Sequence, residues 1–183
     1  MEALLTSTVL VAVAEIGDKT QLLSFVLAAR LRKPLPIIAG ILVATLANHA
    51  LAGSLGAWLA SLASPQTLKW TAAIAFVAFG IWTLKPDTLD EEPRTSSAGA
   101  FATALVAFFL AEMGDKTQFA TIALAARFDD LLSVVAGTTI GRMLANVPAV
   151  AVGERLAEKI PMGAVRMFAA VLFVATGVWT ALS

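Results

Sequence analysis

The chain has no cysteine among its 183 residues and a single histidine, His49. The first absence excludes disulfides, thiolate metal sites and thiol catalysis, and it leaves the redox compartment undetermined. Charge is scarce as well: Asp, Glu, Lys and Arg make up 14% of the chain, with 13 cations against 13 anions. No basic run with interleaved aromatics occurs, so no nucleic-acid partner is expected. No nucleotide-binding glycine loop is present, so uphill work would have to draw on an ion gradient or a partner. What the chain has in excess is apolar surface. It is 58% hydrophobic with a mean hydropathy of +0.83, too apolar for a soluble domain of this size to hide in one core.

Apolar stretches long enough to cross a hydrocarbon layer of about 30 Å at 1.5 Å per residue run over 4–29, 35–60, 67–85, 99–126, 131–152 and 162–182. The expected fold is therefore an all-α membrane protein of six transmembrane helices. Ala12-Val13-Ala14 resembles a signal-peptidase site, but the preceding residues carry Glu2 and no Lys or Arg, so the first segment is expected to be retained. The one substantial linker is acidic, Pro86-Asp87-Thr88-Leu89-Asp90-Glu91-Glu92-Pro93-Arg94. It divides the chain into a first three-helix repeat (1–85), a linker (86–98) and a second three-helix repeat (99–183).

The halves are copies of one another. Glu15-Ile16-Gly17-Asp18-Lys19-Thr20 returns 97 residues later as Glu112-Met113-Gly114-Asp115-Lys116-Thr117. At the same offset Leu27-Ala28-Ala29-Arg30 matches Leu124-Ala125-Ala126-Arg127, Gly40 matches Gly137, and Gly80, Trp82 and Thr83 match Gly177, Trp179 and Thr180. Three spans per half force the second half to enter the membrane from the opposite side, which makes the repeats inverted. The loops after spans one, three and five hold Arg30, Arg32, Lys33, Lys85, Arg94, Arg155, Lys159 and Arg166, against Lys69 and Arg127 on the other side. The positive-inside rule then puts the linker in the cytoplasm and both termini outside it.

Each motif places charge where charge is expensive, roughly 2.5–3.5 kcal/mol per ionisable side chain at the centre of a membrane helix. On a continuous helix Asp18 lies about 60° from Glu15 and Lys19 about 40° on the other flank, with Gln21 beyond Asp18. Glu112, Asp115, Lys116 and Gln118 repeat that stripe. Facing each other near the midplane, the stripes would gather four carboxylates, two amides and two ammonium groups. Four carboxylates and two lysines leave a deficit of two charges that a divalent cation neutralises. Such oxygen ligands suit Mg, Ca or Mn. Carboxylates crowded in low dielectric hold protons and release them when a metal arrives, so metal–proton exchange is a natural coupling. Gly17 and Gly114 serve either close helix contact, the simpler reading, or local unwinding that frees backbone carbonyls. Thr20 and Thr117 offer hydroxyls, as do Ser24 and Thr121, though such groups often bond their own helix. Met113 reads as packing.

Duplicated Glu-x-Gly-Asp-Lys-Thr in a six-span chain resembles a membrane family of bacterial manganese exporters and eukaryotic Golgi calcium/manganese–proton exchangers, whose hallmark is a duplicated Glu-x-Gly-Asp-(Lys/Arg)-(Thr/Ser). The resemblance covers nearly the whole chain, and the short loop after span three favours the compact bacterial form in an inner membrane. It implies that Glu15, Asp18, Glu112 and Asp115 form the cation site, and that the protein exports Mn2+ or Ca2+ from the cytoplasm against protons. The metal is then substrate, and no cofactor is expected. A cation channel and an intramembrane aspartyl hydrolase are the alternatives; the hydrolase is disfavoured because each motif aspartate has an adjacent lysine.

Four further residues stand out. Asn48 and Asn146, in Leu-Ala-Asn echoes one residue off the repeat register, are either interhelical bonds or extra ligands. His49 is expected at a helix end or in packing, with proton relay as the alternative. Arg142 lies in an apolar span and is expected to pair with a motif carboxylate, with Glu154, or with lipid phosphate. Lys19 and Lys116 are expected beside Glu15 and Glu112, as internal cations that hold the empty site together.

Overall fold

A computed structural model describes residues 1–85, 99–152 and 162–183. The linker 86–98 and the loop residues Glu154, Arg155 and Lys159 lie outside the described residues. All secondary structure among the described residues is helical: α1 (Glu2–Glu15), α2 (Lys19–Leu31), α3 (Pro34–Leu62), α4 (Pro65–Thr83), α5 (Gly99–Glu112), α6 (Lys116–Phe128), α7 (Leu131–Val152) and α8 (Met162–Leu182). Three of them contain stretches both long and apolar enough to cross a membrane unaided, Pro34–Leu62, Leu131–Ala151 and Gly163–Leu182.

Local chemistry sets the boundaries. Pro34 and Pro65 open α3 and α4, where the missing N–H is no loss. Ser64 accepts from the Thr67 N–H at 3.2 Å, capping α4. Asp130 accepts from the Ser133 N–H at 3.1 Å at the start of α7, and hydrogen bonding from the Ser133 side chain, with its N–H second, holds the carboxyl below the usual carboxylate range. α2 and α6 both end on a residue in the left-handed region, Arg32 at φ 51° and Asp129 at φ 49°, again 97 residues apart.

The expected first and fourth spans, 4–29 and 99–126, are not continuous helices. Each is broken inside the motif, α1 from α2 at Ile16–Asp18 and α5 from α6 at Met113–Asp115. The cause is backbone conformation. Gly17 (φ 80°) and Gly114 (φ 75°) sit in the left-handed region that glycine enters freely. Asp18 and Asp115 then restart the chain as the N-cap residues of α2 and α6.

Packing repeats across the halves. α1 lies on α7 as α5 lies on α3, and α4 lies on α8. A Cβ at Gly40 would come within 2.6 Å of the Phe101 carbonyl, and one at Gly137 within 2.5 Å of the Leu4 carbonyl; Leu4 and Phe101 are themselves 97 apart. Gly80 and Gly177 meet the carbonyls of Ala170 and Ala73 in the same reciprocal way. The small residues thus bring backbones into direct contact. Polarity is inverted relative to a soluble protein: Glu15, Glu112, Asn48, His49, Asn146 and Arg142 are fully buried, while Trp58, Trp70, Ile74 and Trp179 are exposed. An exterior of this kind suits lipid.

Candidate cation site

Both breaks are built alike. After α1, the Asp18 N–H donates to the Glu15 carbonyl at 3.1 Å, and the Gly17 N–H donates to the Gln21 side-chain oxygen at 2.8 Å. After α5, the Asp115 N–H donates to the Glu112 carbonyl at 3.0 Å, and the Gly114 N–H donates to Gln118 at 2.8 Å. Gln21 and Gln118, expected as cation ligands, therefore turn their oxygens onto the broken backbone. The expected close-contact role of the motif glycines gives way to unwinding, and a Cβ at Gly114 would meet nothing within 4 Å. The stripe expected on a continuous helix is accordingly replaced by a corner, with Glu15 on the last turn of α1 and Asp18 at the head of α2.

That corner faces its counterpart. Oxygens of Glu15, Asp18 and Asp115 lie within 4.8 Å of one another, and all three side chains are buried. Thr20 donates to Glu15 Oε2 at 2.7 Å and approaches Asp18 Oδ2 at 3.4 Å. Glu15 Oε1 and Asp115 Oδ2 are buried without a hydrogen-bond partner among the described residues. Oxygens left bare in such a setting are expensive unless something positive completes them.

Glu112 is held apart from this trio. Arg142 Nη1 donates to Glu112 Oε1, His49 Nε2 lies 2.7 Å from the same oxygen, and Asn48 Nδ2 donates to Glu112 Oε2 at 3.2 Å. Among the described residues Arg142 meets both motif glutamates, as expected of a motif partner, since its Nε also lies 3.5 Å from Glu15 Oε2; Glu154 lies outside the described residues. Both asparagines act as interhelical donors: Asn146 Nδ2 reaches Glu15 Oε2 at 3.4 Å, and its oxygen accepts from Ser24 at 2.7 Å. Ser24 thus bonds across to α7, whereas Thr121 bonds its own helix at the Thr117 carbonyl.

Both lysines reach beyond their own helices. Lys19 reaches across to Asp115 at 3.5 Å, and Lys116 donates to the Lys85 carbonyl at 3.2 Å. The Thr117 hydroxyl is buried without a hydrogen-bond partner among the described residues. Met113 is exposed, with no place in the site.

A family model for the divalent cation/proton antiporter GDT1 matches residues 3–91 and 100–183. The chain belongs to the GDT1 family. Among its GDT1 relatives, a Vibrio cholerae serotype O1 protein described as "Putative manganese exporter" is 52% identical over 182 residues, covering 99% of this chain and 91% of the other. GDT1-like protein 5 of Arabidopsis thaliana is 30% identical over 93% of this chain and 91% of its own length. GDT1-like protein 3 of Oryza sativa subsp. indica is 29% identical over 94% of this chain and 71% of its own. No solved structure matches the chain. A GDT1 protein is an integral membrane cation transporter rather than an enzyme, which sets aside the hydrolase reading, and the metal is its transported substrate.

His49 and Arg142 are the site residues that sequence reasoning undervalued. The repeat offset itself was the available signal: it puts His49 on Asn146, and both touch a motif glutamate.

Proposed function

We propose that this GDT1 protein exports Mn2+, with Ca2+ as its second cation, from the cytoplasm in exchange for protons by alternating access. The observation that carries the reading is the buried trio Glu15, Asp18 and Asp115, with two oxygens lacking hydrogen-bond partners among the described residues. Three hard anionic oxygens with Lys19 alongside suit a divalent cation lacking a strong preference for sulfur or nitrogen. When the ion leaves, protons are the small cations able to occupy the same oxygens, and their return is the counter-flow. The break ends α1 at Glu15, so the negative end of that helix's dipole lies beside a proposed ligand.

The proposed architecture has six spans: α1 with α2, α3, α4, α5 with α6, α7 and α8. They form inverted three-helix repeats over 1–85 and 99–183, with 86–98 as a cytoplasmic linker and both termini on the periplasmic side of a bacterial inner membrane. The 97-residue offset, the matched breaks and the reciprocal glycine contacts support it.

The test is reconstitution into liposomes with a metal-sensitive dye and a pH probe. Mn2+ flux accelerated by an opposed proton gradient, with reciprocal proton movement, is expected. Flux indifferent to protons would make the protein a channel, and absence of flux from folded protein would end the transporter mechanism proposed here.

A further inference from the structure

At the repeat offset, the trio Glu15, Asp18 and Asp115 maps onto Glu112, Asp115 and Asp18. Two pseudo-equivalent ligand sets therefore exist, sharing both aspartates and differing only in the glutamate. The structure treats them unequally. Glu15 keeps one oxygen without a hydrogen-bond partner among the described residues and belongs to the trio. Glu112 is occupied by Arg142, Asn48 and His49. The charge asymmetry lies at Arg142, whose counterpart in the first half is Thr45, a neutral buried residue; Asn48 adds to it, since its counterpart is Ala145.

We infer that Arg142 is a built-in, non-transported counter-cation that takes the place a second metal ion would hold. The inference rests on the exchanger reading and deepens it. A guanidinium stays protonated in proteins and matches a carboxylate with several donors, so it neutralises Glu112 permanently without leaving the protein. It is fully buried, touches Glu112 through Nη1 and lies 3.5 Å from Glu15 through Nε. That position lets it compete for Glu15 whenever Glu112 is lost. The protein then binds a single divalent ion, ligated by Glu15, Asp18 and Asp115, while Glu112 is a ligand of Arg142 and not of the metal.

Mn2+ binding to full-length purified protein, followed by the EPR signal of free Mn2+, tests this. The variants are Glu112→Gln, Glu112→Gln with Arg142→Gln, and Glu15→Gln with and without Arg142→Gln, each shown monodisperse by gel filtration. The wild type is expected to bind one equivalent. Glu112→Gln alone is expected to weaken binding at least tenfold, because the released guanidinium turns onto Glu15. The Glu112→Gln/Arg142→Gln pair, which removes both buried charges together and so best preserves the fold, is expected to return to within threefold of wild type. Glu15→Gln is expected to stay at least tenfold weak in either background. If the paired variant remains as weak as Glu112→Gln, Glu112 is a metal ligand and the inference falls; two equivalents on the wild type would also overturn it. No Mn2+ binding by monodisperse wild type would instead overturn the exchanger reading itself.

Discussion

His49 and Asn146 stand 97 residues apart, at equivalent points of the two halves, and each reaches the other half's motif glutamate: His49 to Glu112 at 2.7 Å, Asn146 to Glu15 at 3.4 Å. The repeat thus builds its site by exchange between halves. An amide and an imidazole fill the same role, so His49→Asn is expected to keep most transport. His49→Ala, which strips a donor from a buried carboxylate, is expected to cost about 1.5–3 kcal/mol. Thermal unfolding and Mn2+ flux measured on both variants check the ordering, and equal damage from the two would show that the imidazole does something an amide cannot.

Asp18→Asn, Asp115→Asn and Glu15→Gln are each expected to abolish Mn2+ resistance in cells while membrane insertion and expression persist. The substituted amides keep the volume and remove the anionic charge on which hard-cation affinity depends. Growth on graded Mn2+ with a membrane-fraction blot measures this. Full resistance from a well-expressed variant would remove its carboxylate from the site.

The breaks need glycine for its backbone. At Gly114 there is open space for a side chain but φ is 75°, so the penalty of substitution is conformational, roughly 1–2 kcal/mol for an ordinary L residue and smaller for Asn. Gly114→Asn is therefore expected to retain more activity than Gly114→Val. At Gly137 the order of causes is reversed, since a Cβ would stand 2.5 Å from the Leu4 carbonyl in an ordinary helix. There Asn should be worse than Ala, and melting temperatures of the four variants separate strain from overlap.

Gln21 and Gln118 each cap a broken backbone, but the Gly17 N–H is partly buried and the Gly114 N–H is exposed. Losing the acceptor strands a donor in the first case and hands it to a more accessible environment in the second. Gln21→Ala is expected to destabilise by about 1–3 kcal/mol and Gln118→Ala by less, as read from denaturation of the purified variants.

A chain without cysteine is ready for single-cysteine mapping. Ser183→Cys is expected to react with a membrane-impermeant maleimide applied from the periplasmic side, and Lys33→Cys only after the membrane is opened. The reverse pattern would invert the topology.

Much of this site was legible because duplication is legible: the carboxylates and the packing glycines recur at one offset, and the asparagines one residue off it. The helix breaks were harder to see. Apolar stretches over 4–29 and 99–126 read as continuous because hydropathy registers side chains, whereas the interruption lies in the φ of Gly17 and Gly114. Once the backbone turns, angular arguments across the motif no longer apply, which is why Lys19 meets Asp115 rather than Glu15. Arg142 was visible as an expensive charge, but its pairing with Glu112 depends on a tertiary contact between α5 and α7 that no local pattern encodes.

The cross-exchange of partners also has a consequence for the order of synthesis. Glu112 emerges from the ribosome when Asn48 and His49 are already made, but Glu15 emerges 127 residues ahead of Arg142 and 131 ahead of Asn146. The 14-residue α1 is too short to anchor itself across a bilayer, and its terminal carboxylate has to wait for α7. The amino-terminal half is thus born incomplete, and a nascent chain arrested before α7 is expected to be held loosely and to be open to quality-control proteolysis until that helix arrives.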